Sequence, residues 1–181
     1  MGTAHTATVR VVRGECIPVV LCFDIEPDAH TFPLDAPSPW RGFEEVIDLL
    51  PALRSDLERA TGQPARFNWS VRSDPQIALG YGSPSYVFRR YGSFFDDAVR
   101  AGDAVGVHPH AWRWRGPGTG WVSDHTDQAW VNECLEVAVS SYVEKFGHVP
   151  TFHRYGARDE HTDDEPAAGP RRQDRPHRGA G

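Results

Sequence analysis

The sequence feature that most restricts the fold is a continuous apolar segment, residues 17–23, which stops abruptly at Asp24. A short apolar run of this kind is typical of a strand that is buried on both faces. Three further short segments have strand character, namely residues 65–71, 103–107 and 150–152. Because stretches with helical spacing separate these segments, the pattern predicts an α/β protein with a parallel sheet or a barrel.

The first helix is predicted to have Ser38 as its N-cap and Pro39 in its first turn. Gly62 occupies the position of a C-cap. Pro51 falls inside the apolar pattern, so we expect a kink there or two consecutive short helices.

Two more helices and one long loop complete the pattern. A looser helical stretch covers residues 85–101, with Gly92 as its weak point, and the clearest helix covers residues 127–146 and stops at Gly147. Residues 111–124 are rich in glycine and tryptophan and are predicted to form a loop.

The two ends of the chain differ from its middle. Residues 1–16 show no clear periodicity and are predicted to be an N-terminal arm, while residues 17–158 form the folded domain. Residues 159–181 contain no large apolar side chain, so they are expected to be disordered. We interpret this tail as a truncated or out-of-frame product, because a one-base shift of its back-translation permits an amphipathic helix and a strand. The alternative is a natural disordered tail.

The composition excludes several classes of protein. The formal net charge is −6, with Lys+Arg 19 against Asp+Glu 25, and no clustered basic segment suggests nucleic-acid binding. Cys16, Cys22 and Cys134 are odd in number and far apart, which argues against a disulfide framework or a zinc ribbon. No apolar run approaches the roughly 20 residues that cross a bilayer. With no recognisable signal peptide either, we expect a cytoplasmic protein.

Polar residues capable of chemistry follow each predicted strand. They are Asp24 and Glu26, Arg72 and Asp74, His108 and His110, and Arg154. Because the carboxyl ends of parallel strands meet at one rim, we expect these side chains to lie close together. Two carboxylates and two imidazoles there predict a site for a divalent metal and its bound water. Taken singly, each residue could also be an ordinary cap, turn or solvated side chain.

Three segments resemble, in order, the first three motifs of NodB-type polysaccharide deacetylases, which belong to carbohydrate esterase family four and its relatives. The segments are residues 21–26, 105–112 and 152–156. The resemblance covers about residues 17–158. It implies a distorted (β/α) barrel, incomplete at its C-terminus, that binds a divalent metal, often zinc. It also implies hydrolytic removal of N- or O-acetyl groups from a carbohydrate substrate.

The resemblance also implies roles for individual residues. Asp24 corresponds to the general base and Arg154 to the arginine that positions it, whereas Glu26 and His108 correspond to metal ligands. In two places the sequence departs from the family pattern. Ile25 separates the two acids, which are usually adjacent, although period two in a strand returns both to one face. Trp112 occupies the position of the usual second histidine, and we expect His110 to replace it as a ligand.

Substrate contacts are expected from Trp112 and Trp114, whose rings suit stacking on sugars, and from Arg72 and Asp74. The late histidine motif that donates a proton in the family is missing from this chain. One alternative is therefore a non-catalytic carbohydrate-binding remnant of a deacetylase. Another is a different barrel metallohydrolase, although amidohydrolases place their His-x-His segment at the first strand and this chain has it after the third.

Overall fold

A computed structural model of the chain describes residues 19–156. The predicted arm at residues 1–16 and the predicted tail at residues 159–181 lie outside the described residues. No helix in the described part of the chain is long and apolar enough to cross a membrane.

The main sheet has three short strands, all parallel, in the order β1-β2-β3. They are β1 (Cys22–Ile25), β2 (Asn68–Val71) and β3 (Ala104–Val107). The predicted fourth strand at residues 150–152 is replaced by a single parallel bridge between Val107 and His153. The predicted parallel sheet is confirmed. Within residues 19–156 it is open, so closure into a barrel stays a prediction.

Five helices and a β-hairpin complete the described part of the chain. The helices are α1 (Arg41–Thr61), α2 (Pro75–Tyr81), α3 (Tyr86–Arg90), α4 (Gly92–Arg100) and α5 (Gln128–Phe146). The hairpin pairs β4 (Trp112–Trp114) with β5 (Trp121–Ser123) in an antiparallel arrangement.

Helix α1 differs from its prediction at the start and in the middle. It has Trp40 rather than Ser38 at its N-cap, because the Ser38 hydroxyl instead accepts a hydrogen bond from the backbone N–H of Ala29 at 3.0 Å. The helix runs without interruption through Pro51, so the predicted division into two helices is wrong. Apolar side chains of both halves pack against the core and hold the segment together. The predicted end at Gly62 is confirmed, with φ 67°.

Three later segments also differ from their predictions in detail. The single helical stretch at residues 85–101 is divided at Tyr91 into α3 and α4, next to its predicted weak point. Helix α2 was not predicted, although Asp74 followed by a proline is a helix-start signal. Residues 111–124 contain the hairpin rather than only a loop. Helix α5 agrees with its prediction, with Asp127 as N-cap and a glycine at its end.

The core lies between the sheet and the helices. Alternate strand residues face the helices, and Ile25, Val71 and Val107, which share one register row, are almost completely buried. Asp24 lies on the other face of the sheet, next to Ser70 in the register. The alternation therefore separates an apolar face, which packs against the helices, from the face that carries Asp24.

Candidate functional site

The structure brings together the three residues that were predicted as metal ligands. Glu26, His108 and His110 each offer one donor atom, and these three atoms lie within 4.8 Å of one another. The Nε2 atom of His110 is 3.0 Å from Nε2 of His108 and 3.3 Å from Oε2 of Glu26. We call these three residues the Glu–His–His cluster.

Parallel pairing explains why the cluster forms. Glu26 follows β1 and His108 follows β3, and the last residues of these two strands lie in one register row with the last residue of β2. His110 lies two residues beyond His108, so its imidazole turns back toward the same rim. Residues that are far apart in the sequence thereby meet at the carboxyl end of the sheet.

Hydrogen bonding determines which nitrogen of His108 faces the cluster. Its Nδ1 atom lies 2.8 Å from the carbonyl oxygen of Arg154, an acceptor, so Nδ1 carries the proton and donates it. In the neutral imidazole, the free lone pair is then on Nε2, and this atom points into the cluster. A partner of this kind orients many metal-binding histidines.

His110 is held in place at its backbone and at its ring. Its backbone N–H donates to Oδ2 of Asp74 at 2.9 Å. Its ring lies against Gly156, where a β-carbon would fall 2.4 Å from three ring atoms. Burial, with the positive charge of Arg72 as the second cause, lowers the pKa of His110 to about 2. The imidazole is therefore neutral at ordinary pH, which is the form that binds metals.

The donor set fits a divalent metal. It offers one carboxylate oxygen and two imidazole nitrogens, which suit zinc and other divalent transition metals alike. Donor atoms that share a tetrahedral zinc lie roughly 3.3 Å apart, because each bond is about 2.0–2.1 Å long. The separations of 3.0 and 3.3 Å at His110 are close to that value.

Arg72 and Asp74, which were predicted to contact substrate, are completely buried. The Nε of Arg72 donates to Oδ2 of Asp74 at 3.0 Å, and its Nη1 lies 3.5 Å from Oε2 of Glu26. A third contact joins its Nη2 to the side-chain oxygen of Gln76. Oδ1 of Asp74 meanwhile accepts two backbone hydrogen bonds at the start of α2. In place of substrate contact, this geometry supports a role in positioning Glu26 and His110.

The predicted base and its arginine form an ion pair beside the cluster. Nη1 of Arg154 lies 3.3 Å from Oδ2 of Asp24, and the two side chains are 57% and 25% exposed. The backbone carbonyl of Arg154 accepts the hydrogen bond from Nδ1 of His108 at 2.8 Å, so the pair lies next to the cluster. Both side chains of the pair are in contact with solvent, while the two histidines of the cluster are almost fully buried.

The tryptophans form one face of the hairpin. Trp112 and Trp114 are alternate residues of β4, and Trp121 of β5 lies opposite Trp114 with their ring centroids 5.1 Å apart. All three side chains are partly exposed. The indole N–H of Trp121 donates to the carbonyl oxygen of Phe32 at 2.7 Å. This bond attaches the hairpin to the loop that follows Glu26.

Sequence reasoning missed two residues near the site. Nδ1 of His30 lies 3.3 Å from Oε2 of Glu26, and its ring centroid is 6.0 Å from that of His110. No local pattern marks His30, because it lies in an irregular loop. Trp121 carried a usable signal, since glycines between two apolar segments are typical of a hairpin.

No protein-family model, curated protein or solved structure matches this chain. The resemblance to polysaccharide deacetylases therefore stays a prediction based on the three short motifs. What the structure adds is the geometry of the site, in which Glu26, His108 and His110 converge next to the pair formed by Asp24 and Arg154.

Proposed function

We propose that this chain is a metal-dependent hydrolase that removes an acetyl group, linked as an amide or an ester, from a carbohydrate. The observation that carries the proposal is the Glu–His–His cluster lying beside the ion pair of Asp24 and Arg154. Two buried imidazoles and the Glu26 carboxylate provide a metal site, and the neighbouring Asp24 carboxylate provides a base. Together these groups suit hydrolysis of an acyl bond.

Each group has a defined part in the proposed reaction. A divalent metal at the cluster would polarise the acetyl carbonyl and lower the pKa of a bound water. Asp24 accepts the proton of the water whose oxygen attacks the acetyl carbon. Arg154 orients the Asp24 carboxylate through their 3.3 Å contact. When the bond to the sugar nitrogen or oxygen breaks, the proton held by Asp24 passes to that leaving atom and acetate is released.

The hairpin supports a sugar as the rest of the substrate. Trp112, Trp114 and Trp121 form a partly exposed aromatic surface that is tied to the loop following Glu26. Such rings pack against the apolar faces of a pyranose and leave its hydroxyl groups to solvent or to polar side chains. The same surface also favours the second candidate function, a non-catalytic carbohydrate-binding remnant.

The test is acetate release from acetylated oligosaccharides by the metal-loaded protein. We expect Asp24→Asn to lower the rate by about 10²–10⁴-fold, since general-base catalysis contributes this much. Metal affinity and the unfolding midpoint should stay the same, because Asp24 lies outside the Glu–His–His cluster. Asp97→Asn is the matched control, since Asp97 is exposed on α4 and also pairs with an arginine.

Two results would count against the proposal, at different levels. Full activity of Asp24→Asn would refute Asp24 as the general base while leaving the hydrolase activity in place. Wild-type protein that binds metal and oligosaccharide but releases no acetate would overturn the hydrolase proposal and favour the carbohydrate-binding remnant instead.

A further inference from the structure

His30 lies at the mouth of the site, on the solvent side of Glu26. Its side chain is 60% exposed, whereas the histidines of the Glu–His–His cluster are almost fully buried. Its backbone carbonyl accepts a hydrogen bond from Nη1 of Arg72 at 3.4 Å. The same guanidinium nitrogen reaches Glu26, so the loop that carries His30 is anchored to the cluster while the imidazole remains at the surface.

The His30 imidazole lies within reach of the metal site, on the side of Glu26. Its Nδ1 lies 3.3 Å from Oε2 of Glu26, the same separation that Nε2 of His110 has from that oxygen. Both values equal the roughly 3.3 Å expected between two donors on one tetrahedral zinc. The rings of His30 and His110 are 6.0 Å apart between centroids, so each can direct a nitrogen to the space beside Glu26.

We propose that His30 is a fourth, displaceable ligand of the metal held by the Glu–His–His cluster. This inference rests on the metal site of the proposed function and goes beyond it by adding a residue from the loop before α1. When a metal is bound, the exposed His30 imidazole turns about its side-chain bonds and brings its Nδ1 into the coordination position that the other three residues leave open.

The difference in exposure explains why this ligand is the displaceable one. The imidazole of His108 is held by the carbonyl oxygen of Arg154, and that of His110 is buried against Gly156, so neither ring can leave the cluster without disturbing its surroundings. The imidazole of His30 has solvent on one side and can rotate outward. Catalytic zinc sites keep one position for substrate, whereas structural sites have four permanent protein ligands. Substrate therefore takes the position of His30 during turnover.

The test uses Co²⁺ as a probe metal with the full chain. We measure Co²⁺ affinity by competition with a chromophoric chelator, together with the visible absorption of the bound ion. His30→Ala should weaken Co²⁺ binding at least about tenfold, the lower bound seen when even an indirect partner of a metal ligand is removed. The absorption should also change as water replaces an imidazole, and added free imidazole should restore it.

The matched control is His148→Ala, because His148 is an exposed histidine beyond the end of α5. This variant should bind Co²⁺ as the wild type does. His30→Gln, which keeps a long polar side chain, should show the same loss as His30→Ala if the imidazole itself is the ligand. Circular dichroism of the variants confirms that the fold is intact.

The outcomes separate this inference from the proposed function. If the wild type binds Co²⁺ and His30→Ala binds it with equal affinity and an unchanged spectrum, His30 is not a ligand while the metal site stands. A loss that His148→Ala shares would likewise overturn the assignment. If the wild type binds no Co²⁺, both the metal site and the role of His30 are refuted.

Discussion

Asp74 is the buried residue on which most of the site's geometry depends, and replacing it by alanine tests that dependence. Its Oδ1 accepts hydrogen bonds from the backbone N–H groups of Gln76 and Ile77 at 3.0 and 3.2 Å, which caps α2. Its Oδ2 accepts from Nε of Arg72 at 3.0 Å and from the backbone N–H of His110 at 2.9 Å. Asp74→Ala therefore removes a helix cap, an ion pair and a support of the cluster at once.

The expected loss follows from these contacts. Removal of an N-cap side chain costs about 1 kcal/mol, and removal of one partner from a buried ion pair costs about 3–5 kcal/mol. Both side chains of this pair are fully buried, so water cannot replace the missing carboxylate beside Arg72. We expect the free energy of unfolding to fall by about 4–6 kcal/mol, close to the whole stability of a marginal domain. Asp74→Asn, which keeps a capping oxygen, should lose less.

The assay is urea unfolding followed by circular dichroism, with Asp127→Ala as the matched control. Asp127 also caps a helix, α5, and also pairs with an arginine, Arg113, at 2.7 Å, but its side chain is 41% exposed. Water can take over its contacts, so the control should lose much less stability. Equal losses in the two alanine variants would refute the argument that burial of the pair makes Asp74 critical.

The remaining predictions concern the surroundings of His110. Gly156→Ala should lower the free energy of unfolding by about 1–3 kcal/mol and weaken metal binding, because the new β-carbon would lie 2.4 Å from the His110 ring. Gly118→Ala, whose β-carbon meets nothing within 4 Å, should do neither. Burial lowers the pKa of His110 from 6.5 to about 2. At pH values between these two, the imidazole is protonated in the unfolded chain but not in the folded protein. The metal-free protein should therefore lose about 1.4 kcal/mol per pH unit as the pH falls below 6.5. The measurement is urea unfolding of the wild type and His110→Asn at a series of pH values from 7 to 5. If the free energy of unfolding depends on pH equally steeply in both proteins, the prediction is contradicted.

The sequence was informative wherever the signal is local. The helical spacing before Gly147 places α5 correctly, because burial imposes its period on neighbouring residues. The apolar run before Asp24 indicates the first strand but not its bounds, since β1 covers Cys22–Ile25 and Val19 and Val20 are exposed. It was misleading at Ser38 and Pro51, where local preference predicts a cap and a break. There, a hydrogen bond from Ala29 and packing of α1 on the core outweigh that preference.

Parallel pairing also let the sequence indicate the composition of the site. Strand ends that point the same way collect at one rim, so Glu26, His108 and His110 could be grouped before any distance was known. The inference requires only the order of the strands and the residues that follow them.

The tertiary structure alone decided which polar groups face solvent and which are enclosed. Arg72 and Asp74 follow a strand as Glu26 does, yet they are fully buried and bonded to each other. His30 reaches the site from a loop and Trp121 from the hairpin, and the bond from Trp121 to Phe32 joins residues 89 positions apart. Contacts of this range depend on how the loops pack over the sheet rather than on any repeating pattern along the chain. The sequence by itself therefore determined most of the elements and the chemistry at the strand ends, while the packing between distant segments determined the role of each group.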